Sequence, residues 1–293
     1  MIRTRLGSSS VFVTGLGLGS APLGDLQTAD ADRTALATVD AAWAAGIRYF
    51  DTSPHYGLGV GERRLGAALR SRPRGDYAIS SKVGRLIVDG PDGPERRWDF
   101  SADGVGRSIE ESLTRLRLDR LDLVLIHDPQ EHLAVALDSA YPALHRLRET
   151  GVVGAIGVGS GDVEALMAFS RECELDAVMV AGRLTLLEQP ALPDLVPLCV
   201  SRGISILNVG IFNSGLLAEE WPPDSATYEY APAAPDVLAQ ARRLATDARV
   251  HGSTLPRAAM EFAAAQPGVA SVVVGAIGAR QVERNAELFG ALS

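Results

Sequence analysis

Short apolar stretches rich in Val, Ile and Leu recur along the chain, separated by longer segments in which apolar positions come every three or four residues. The short stretches cover 15–20, 48–51, 77–82, 121–127, 154–159, 177–182, 205–210 and 271–275. Each is brief and continuously apolar, the pattern of a strand covered on both faces. Helical periodicity fills 30–45, with Leu36, Val39, Ala42 and Trp43 as its apolar positions. A second helix is predicted over 101–116, opened by Ser101 as a cap and carrying Val105, Ile109, Leu113 and Leu116. Asp162 opens a third over 162–171, and Pro256 suits the first turn of a fourth over 256–265. Strands alternating with helices mean βαβ units and a parallel sheet. Eight such units point to a closed (β/α)8 TIM barrel, with residues 1–293 as one domain; an open doubly wound sheet is the alternative.

Two long connections interrupt the alternation. Residues 84–100 contain GPDGPERRWDF and residues 219–235 are EEWPPDSATYEYAPAAP. Both follow the end of a strand, where a barrel carries its working loops. Their aromatics Trp98, Phe100, Trp221 and Tyr228 suggest lids.

Composition narrows the possible partners. With 293 residues and 46% hydrophobic content, the chain can bury a large core without disulfide or metal staples. The net charge of −8 repels phosphate backbones, so nucleic acid is not an expected partner. No segment reaches about 18 uncharged apolar residues, so no membrane span is expected. The first twenty residues have no long apolar run, so no secretory signal is expected. Cys173 and Cys199 lie in apolar surroundings and are expected as buried free thiols, in keeping with a reducing, cytoplasmic setting.

Chemistry concentrates at three consecutive strand ends. RYFDTSPHYG ends its strand in Asp51, with Tyr56 just beyond; AISSKVG ends in Lys82; LVLIHDP ends in His127, followed by Asp128. Ionisable residues at the C-terminal ends of barrel strands read as catalytic. A lysine at an apolar strand end needs an anion, and Asp51 stands on the adjacent strand. A tyrosine beside an ammonium has its phenolate favoured, so Tyr56 is expected to titrate lower than usual and to act as a general acid/base. His127 would orient a hydroxyl or carbonyl oxygen. Together they suit proton transfer coupled to a change at a carbonyl carbon. No metal is expected, because His127, Asp128 and His132 have no ligand spacing; His132 and His145 read as solvated helix positions. Asn213–Gly215 lacks the glycine pattern of a nucleophile elbow, and Gly15–Ser20 lacks the full dinucleotide fingerprint. The small-residue loops 210–217 and 274–285 follow the last two strands, and the second opens a helix, so they could hold phosphate.

GIRYFDTSPHYGLGVGERRLGAAL, AISSKVG and LDRLDLVLIHDP, in this order, resemble the aldo-keto reductase superfamily, and the resemblance spans nearly the whole chain. It implies an eight-stranded barrel with a nicotinamide cofactor across its C-terminal rim. It also implies a catalytic tetrad of Asp51, Tyr56, Lys82 and His127. Implied cofactor contacts near the first strands and the middle of the chain are Gly19, Ser20, Asp51, Ser160 and Arg183. Those of the later loops are Phe212, Asn213, Ser214, Gly215, Leu217, Gly275, Gln281 and Asn285. PHYGLG, WDFSADGV, HDP, AGRLTLLEQ and FNSGLL look like the superfamily's aldose dehydrogenases, which oxidise the anomeric carbon of a sugar to a lactone. That implies a substrate of the L-fucose, L-galactose or D-arabinose type, with His55, Trp98 and Asp128 as sugar contacts.

The chain departs from the superfamily pattern in places. Gly159 and Ser160 stand where Ser-Asn is common, and Ala181 and Leu184 where Gln and a stacking Tyr are common. Nicotinamide packing would then involve Arg183 or Phe212. Gly275 and Gln281 replace the usual Lys and Arg at the 2′-phosphate, each loss removing a charge-assisted bond worth about 1.5–3 kcal/mol. NAD is therefore the expected cofactor, with NADP use through Arg280 or Arg284 as the alternative. Pyridoxal oxidation, general aldehyde reduction and a nicotinamide-sensing regulatory subunit are the competing functions. The expected partners are a small sugar or aldehyde, with the chain as monomer or homodimer.

Overall fold

The computed structural model describes residues 1–229 and 231–292. Eight parallel strands form a closed barrel: β1 (Leu16–Gly19), β2 (Tyr49–Asp51), β3 (Ala78–Val83), β4 (Leu121–His127), β5 (Val153–Ser160), β6 (Ala177–Ala181), β7 (Ser205–Val209) and β8 (Val269–Gly275). β8 pairs back onto β1 with Gly275 opposite Gly19, so the sheet is not open.

The strands have two faces with different neighbours. One set of side chains fills the barrel: Tyr49, Ala78, Leu123, Leu125, Ala155, Ala177, Met179, Leu207 and Val273. The alternate set packs outward under the helices: Phe50, Ile79, Val124, Ile126, Ile156, Val158, Val178 and Val180. Leu6, Val11 and Val13, from a short antiparallel ribbon ahead of β1, plug the N-terminal end. The two-residue period then fixes the site. Asp51, Lys82 and His127 share the parity of Tyr49, Ala78 and Leu123, so they point into the barrel mouth rather than toward the helices.

The main surrounding helices are α1 (Ala31–Ala44), α2 (Val60–Leu69), α3 (Ala102–Leu116), α4 (Tyr141–Glu149), α5 (Val163–Glu172), α6 (Leu195–Arg202), α7 (Pro235–Val250), α8 (Leu255–Ala264) and α9 (Ala279–Gly290). The Ser101 and Asp162 side chains accept from the N–H groups of Gly104 and Ala165, capping α3 and α5 as their sequences imply. Leu36 is a correction. The buried stripe of α1 runs Ala31, Ala35, Thr38, Val39 and Ala42, which leaves Leu36 exposed one position off it.

The two long connections also differ from expectation. Residues Arg85–Gly90 and Gly93–Trp98 form an antiparallel hairpin with Arg85 opposite Trp98. Between 219 and 235 the ordered pairing is only Thr227–Tyr228 against Ala231–Pro232. Of the four lid aromatics, only Tyr228 lines the central cavity. Phe100 is buried, Trp98 stacks on Phe100 at 5.7 Å, and Trp221 lies exposed with the Arg242 guanidinium 5.6 Å from its ring. His132 is likewise no solvated position: its ring is half-buried, 5.4 Å from Phe100. Cys173 and Cys199 are buried and free, their thiols pushed up to about 12 and about 11 by burial.

Candidate active site

A cavity of about 830 Å³ opens at the C-terminal mouth of the barrel. Asp51, Lys82 and His127 reach it from the ends of β2, β3 and β4, and Tyr56 from the turn after β2. That turn is held by backbone contact. A Cβ on Gly57 would sit 2.1 Å from the Gly24 carbonyl oxygen, and Gly57 has φ +59°, so no other residue fits between Tyr56 and the β1 connection.

Lys82 Nζ donates to both Asp51 carboxylate oxygens, at 2.9 and 2.7 Å, and to the Thr52 carbonyl at 2.9 Å. It also lies 3.2 Å from the Tyr56 hydroxyl oxygen. Ser80 Oγ donates to Asp51 at 2.7 Å, and Tyr49 OH stands 3.0 Å from Ser80, extending the network into the barrel. Burial opposes the Lys82 charge, but the Asp51 carboxylate and Tyr56 outweigh it and hold its pKa above the ordinary lysine value. For Tyr56 the balance is the reverse. Burial raises its phenol above the usual tyrosine value, and the nearby Lys82 ammonium only partly opposes this. The expected lowering of Tyr56 is thus overturned, because burial outweighs the attraction of the Lys82 ammonium. His127 is pushed well below the ordinary histidine range, first by burial and then by Lys82, Arg85 and His55. It is neutral at pH 7, with Ser53 Oγ 3.3 Å from its Nδ1 and Nε2 3.5 Å from Asp128.

Beside His127 lies a charged pair that the motifs did not reveal. Arg85, the first hairpin residue, donates from Nη2 to Asp128 Oδ2 and places Nη1 3.2 Å from the His55 ring nitrogens. Burial, then Arg85, Arg96 and Lys82, lower His55 to about 4, so it too is neutral. Asp128 adopts φ +46°, a left-handed turn at the strand end that Asp tolerates. Trp98 faces the Arg85 guanidinium at 4.3 Å but does not line the cavity. Arg85 escaped the sequence reading because its segment read as a loop; only the apolar residues on either side of it hinted at a strand.

The same cavity is lined by Gly19, Ser160, Arg183, Phe212, Asn213, Ser214 and Gly215. Gly275, Gln281 and Asn285 line it too, so most expected cofactor positions converge. Ser20 and Leu217 do not. Ser20 is fully buried, its N–H donating to the Asp51 carbonyl at 2.8 Å, and Leu217 sits in a small apolar core with Leu216 and Leu255. Arg183 is tied to Glu188 and Glu229, and Tyr228 OH also donates to Glu188, forming a polar bridge from the β6 loop to the β7 loop. Gln281 Oε1 accepts the Ile277 N–H at 2.8 Å, so its amide closes the turn into α9.

The later loops that line the cavity fit a dinucleotide. Asn213 Oδ1 is buried without a hydrogen-bond partner among the described residues, although Asn213 lines the cavity. Asn213, Ser214 and Gly215 all have positive φ and line the cavity together. The cations lining the cavity are already paired: Lys82 with Asp51, Arg85 with Asp128, Arg183 with Glu188 and Glu229, and Arg284 with Glu219 at 3.4 Å. No cluster of His, Cys, Asp and Glu suited to a metal occurs among the described residues, and none of their helices is long and apolar enough to cross a membrane.

A lysine locked between a carboxylate and a tyrosine, at the mouth of a parallel barrel and beside a neutral histidine, is equipment for moving a proton at an oxygen on carbon. These features define a barrel oxidoreductase. The chain belongs to the aldo/keto reductase family, whose model matches residues 15–292. It is 43% identical to a D-threo-aldose 1-dehydrogenase of Pseudomonas sp., over 96% of this chain and 90% of that one. Identity to a pyridoxal 4-dehydrogenase of Microbacterium luteolum is 32%, over 97% and 92% of the two chains. Among solved structures, the holo form of an aldo-keto reductase from Bacillus halodurans superposes with a TM-score of 0.81 at 26% identity, covering 98% of this chain and 90% of that one. Enzymes of this family work with nicotinamide cofactors.

Proposed function

We propose that this oxidoreductase is an aldose 1-dehydrogenase that oxidises the anomeric carbon of an L-fucose-, L-galactose- or D-arabinose-type sugar to the lactone, working in the cytoplasm. The observation that carries it is the Lys82 ammonium, gripped by Asp51 and 3.2 Å from the Tyr56 hydroxyl at the floor of the cavity. The 43% identity to a D-threo-aldose 1-dehydrogenase favours a sugar over other carbonyl substrates.

When bound, a nicotinamide cofactor supplies the acceptor for the hydride that leaves C1. Tyr56 takes the anomeric hydroxyl proton at its phenolic oxygen, and Lys82 donates to the resulting hydrogen-bonded oxygen pair. Asp51 keeps Lys82 charged. Neutral His127 holds the same substrate oxygen and sets its direction. Burial keeps resting Tyr56 protonated, so the resting site is ready to donate a proton to a carbonyl, whereas oxidation requires the phenolate. Asn213, Ser214 and Gly215 would hold the cofactor's diphosphate region, Asn285 its adenine, and Phe212 would pack on its nicotinamide. NAD is the favoured form, because the cations lining the cavity are already committed to carboxylates and Gln281 to the α9 turn.

The test follows reduced-nicotinamide absorbance with NAD or NADP against L-fucose, L-galactose, D-arabinose and pyridoxal. A rise with a sugar and NAD, with lactone as product, is the expected result. A rise only with pyridoxal, or reduction of simple aldehydes alone, overturns the sugar reading while leaving the tetrad in place.

A further inference from the structure

Arg85 and Asp128 face the cavity next to His127, yet proton and hydride transfer at C1 use neither. Their side chains are 17% and 25% exposed, within reach of a ligand but largely shielded from bulk water. Arg85 is held from three sides: the Trp98 ring at 4.3 Å, the His55 imidazole at 3.2 Å and the Asp128 carboxylate. Trp98 is itself stacked on buried Phe100. Such a guanidinium is fixed in place before any substrate arrives.

We propose that the Arg85–Asp128 pair is a hydroxyl-recognition subsite that binds the sugar by the hydroxyl on the carbon next to the reacting one. This rests on the sugar-dehydrogenase reading and extends it. Asp128 Oδ2 lies 3.5 Å from His127 Nε2, the ring nitrogen that Ser53 leaves for the anomeric oxygen, so the pair would stand within reach of the hydroxyl on the neighbouring carbon. A hydroxyl is at once donor and acceptor. An ion pair offers the complement side by side: the hydroxyl donates to the Asp128 carboxylate and its oxygen accepts from Arg85. The charge balance selects among substrates as well. Among the groups that line the cavity here, Lys82 is matched by Asp51 and Arg85 by Asp128, while His55 and His127 are neutral, so the lining itself carries no surplus charge; Arg96, donating to the His55 carbonyl at 3.4 Å, lies outside that lining. The class it suits is a neutral, polyhydroxylated ring.

A site built to hydrogen-bond a hydroxyl rejects the analogue lacking it, because the site's own groups are left unpaired. The experiment measures kcat/KM for L-fucose, L-galactose and D-arabinose, each beside its 2-deoxy counterpart, in the native enzyme and in Asp128→Asn and Arg85→Met. Asn tolerates the left-handed backbone at position 128. Reduction of 4-nitrobenzaldehyde, which has no hydroxyl, runs in parallel. The native enzyme is expected to prefer the parent sugar by about 10²-fold or more. Both variants should shrink that preference to under about tenfold, chiefly by losing the parent sugar, and lose far less on 4-nitrobenzaldehyde. Equal rates on parent and 2-deoxy sugars in the native enzyme overturn the subsite alone. So do variants that lose the sugar and 4-nitrobenzaldehyde equally. No turnover of any sugar by the native enzyme overturns the sugar reading itself, and the subsite with it.

Discussion

Tyr56 is where burial and charge compete most directly. Desolvation lifts its phenol, Lys82 pulls against it, and desolvation wins. Oxidation draws on the phenolate, whose fraction grows with pH, so sugar oxidation should accelerate from pH 7 toward pH 10, while carbonyl reduction, which uses the protonated phenol, stays nearly level over that range because the phenol is raised above its usual value; rates in both directions check the sign. Tyr56→Phe should cut turnover by about 10²–10⁴-fold, the usual contribution of a general acid/base, with cofactor binding retained by fluorescence titration. Undiminished turnover would remove Tyr56 from the chemistry. Gly57 governs the placement of that ring. A Cβ there would collide with the Gly24 carbonyl, and φ +59° strains any L side chain. Gly57→Ala should therefore cost more than about 1 kcal/mol in urea unfolding and lower turnover at the same time. Asp51, Tyr56, Lys82 and His127 were legible from their motifs, because chemistry demands those side-chain types at strand ends. The titration of Tyr56 was not, since it depends on how much protein surrounds the ring.

Elements here were legible in proportion to how local their causes are. Helices α3 and α5 begin where Ser101 and Asp162 cap them, a signal carried within four residues. Ser101→Ala should cost about 1 kcal/mol in equilibrium unfolding without altering the substrate profile, since its oxygen serves the Gly104 N–H away from the cavity. The hairpin after β3 was read as an irregular loop because Gly, Pro and charged residues resemble one. What makes it a hairpin is cross-strand pairing, Arg85 opposite Trp98 through Gly90 opposite Gly93. Its function also arises from that pairing, which brings the Trp98 ring over the Arg85 guanidinium. Leu36 failed for a related reason: helical period alone does not say which stripe meets the barrel.

Over the whole molecule, barrel closure brings together loops from both halves of the chain. Gly19 and Asp51 from its beginning meet Gln281 and Asn285 from its end around one cavity. The cations lining that cavity are paired with carboxylates, so an added, unpaired cation at the α9 turn should matter. Gln281→Arg is expected to raise the NADP-to-NAD ratio of kcat/KM, on the order of tenfold for one charge-assisted bond; an unchanged ratio would place the 2′-position elsewhere. The sequence by itself determined the eight strands, their alternation with helices, the four residues suited to proton transfer and the family resemblance. These follow from local periodicity and from side-chain types that chemistry requires. Only the tertiary structure decided that Ser20, Leu217 and Trp98 leave the cavity lining, that Arg85 enters it, and that Tyr56 is raised rather than lowered. Lining, pairing and desolvation depend on residues far apart in the chain, and folding alone brings them into contact.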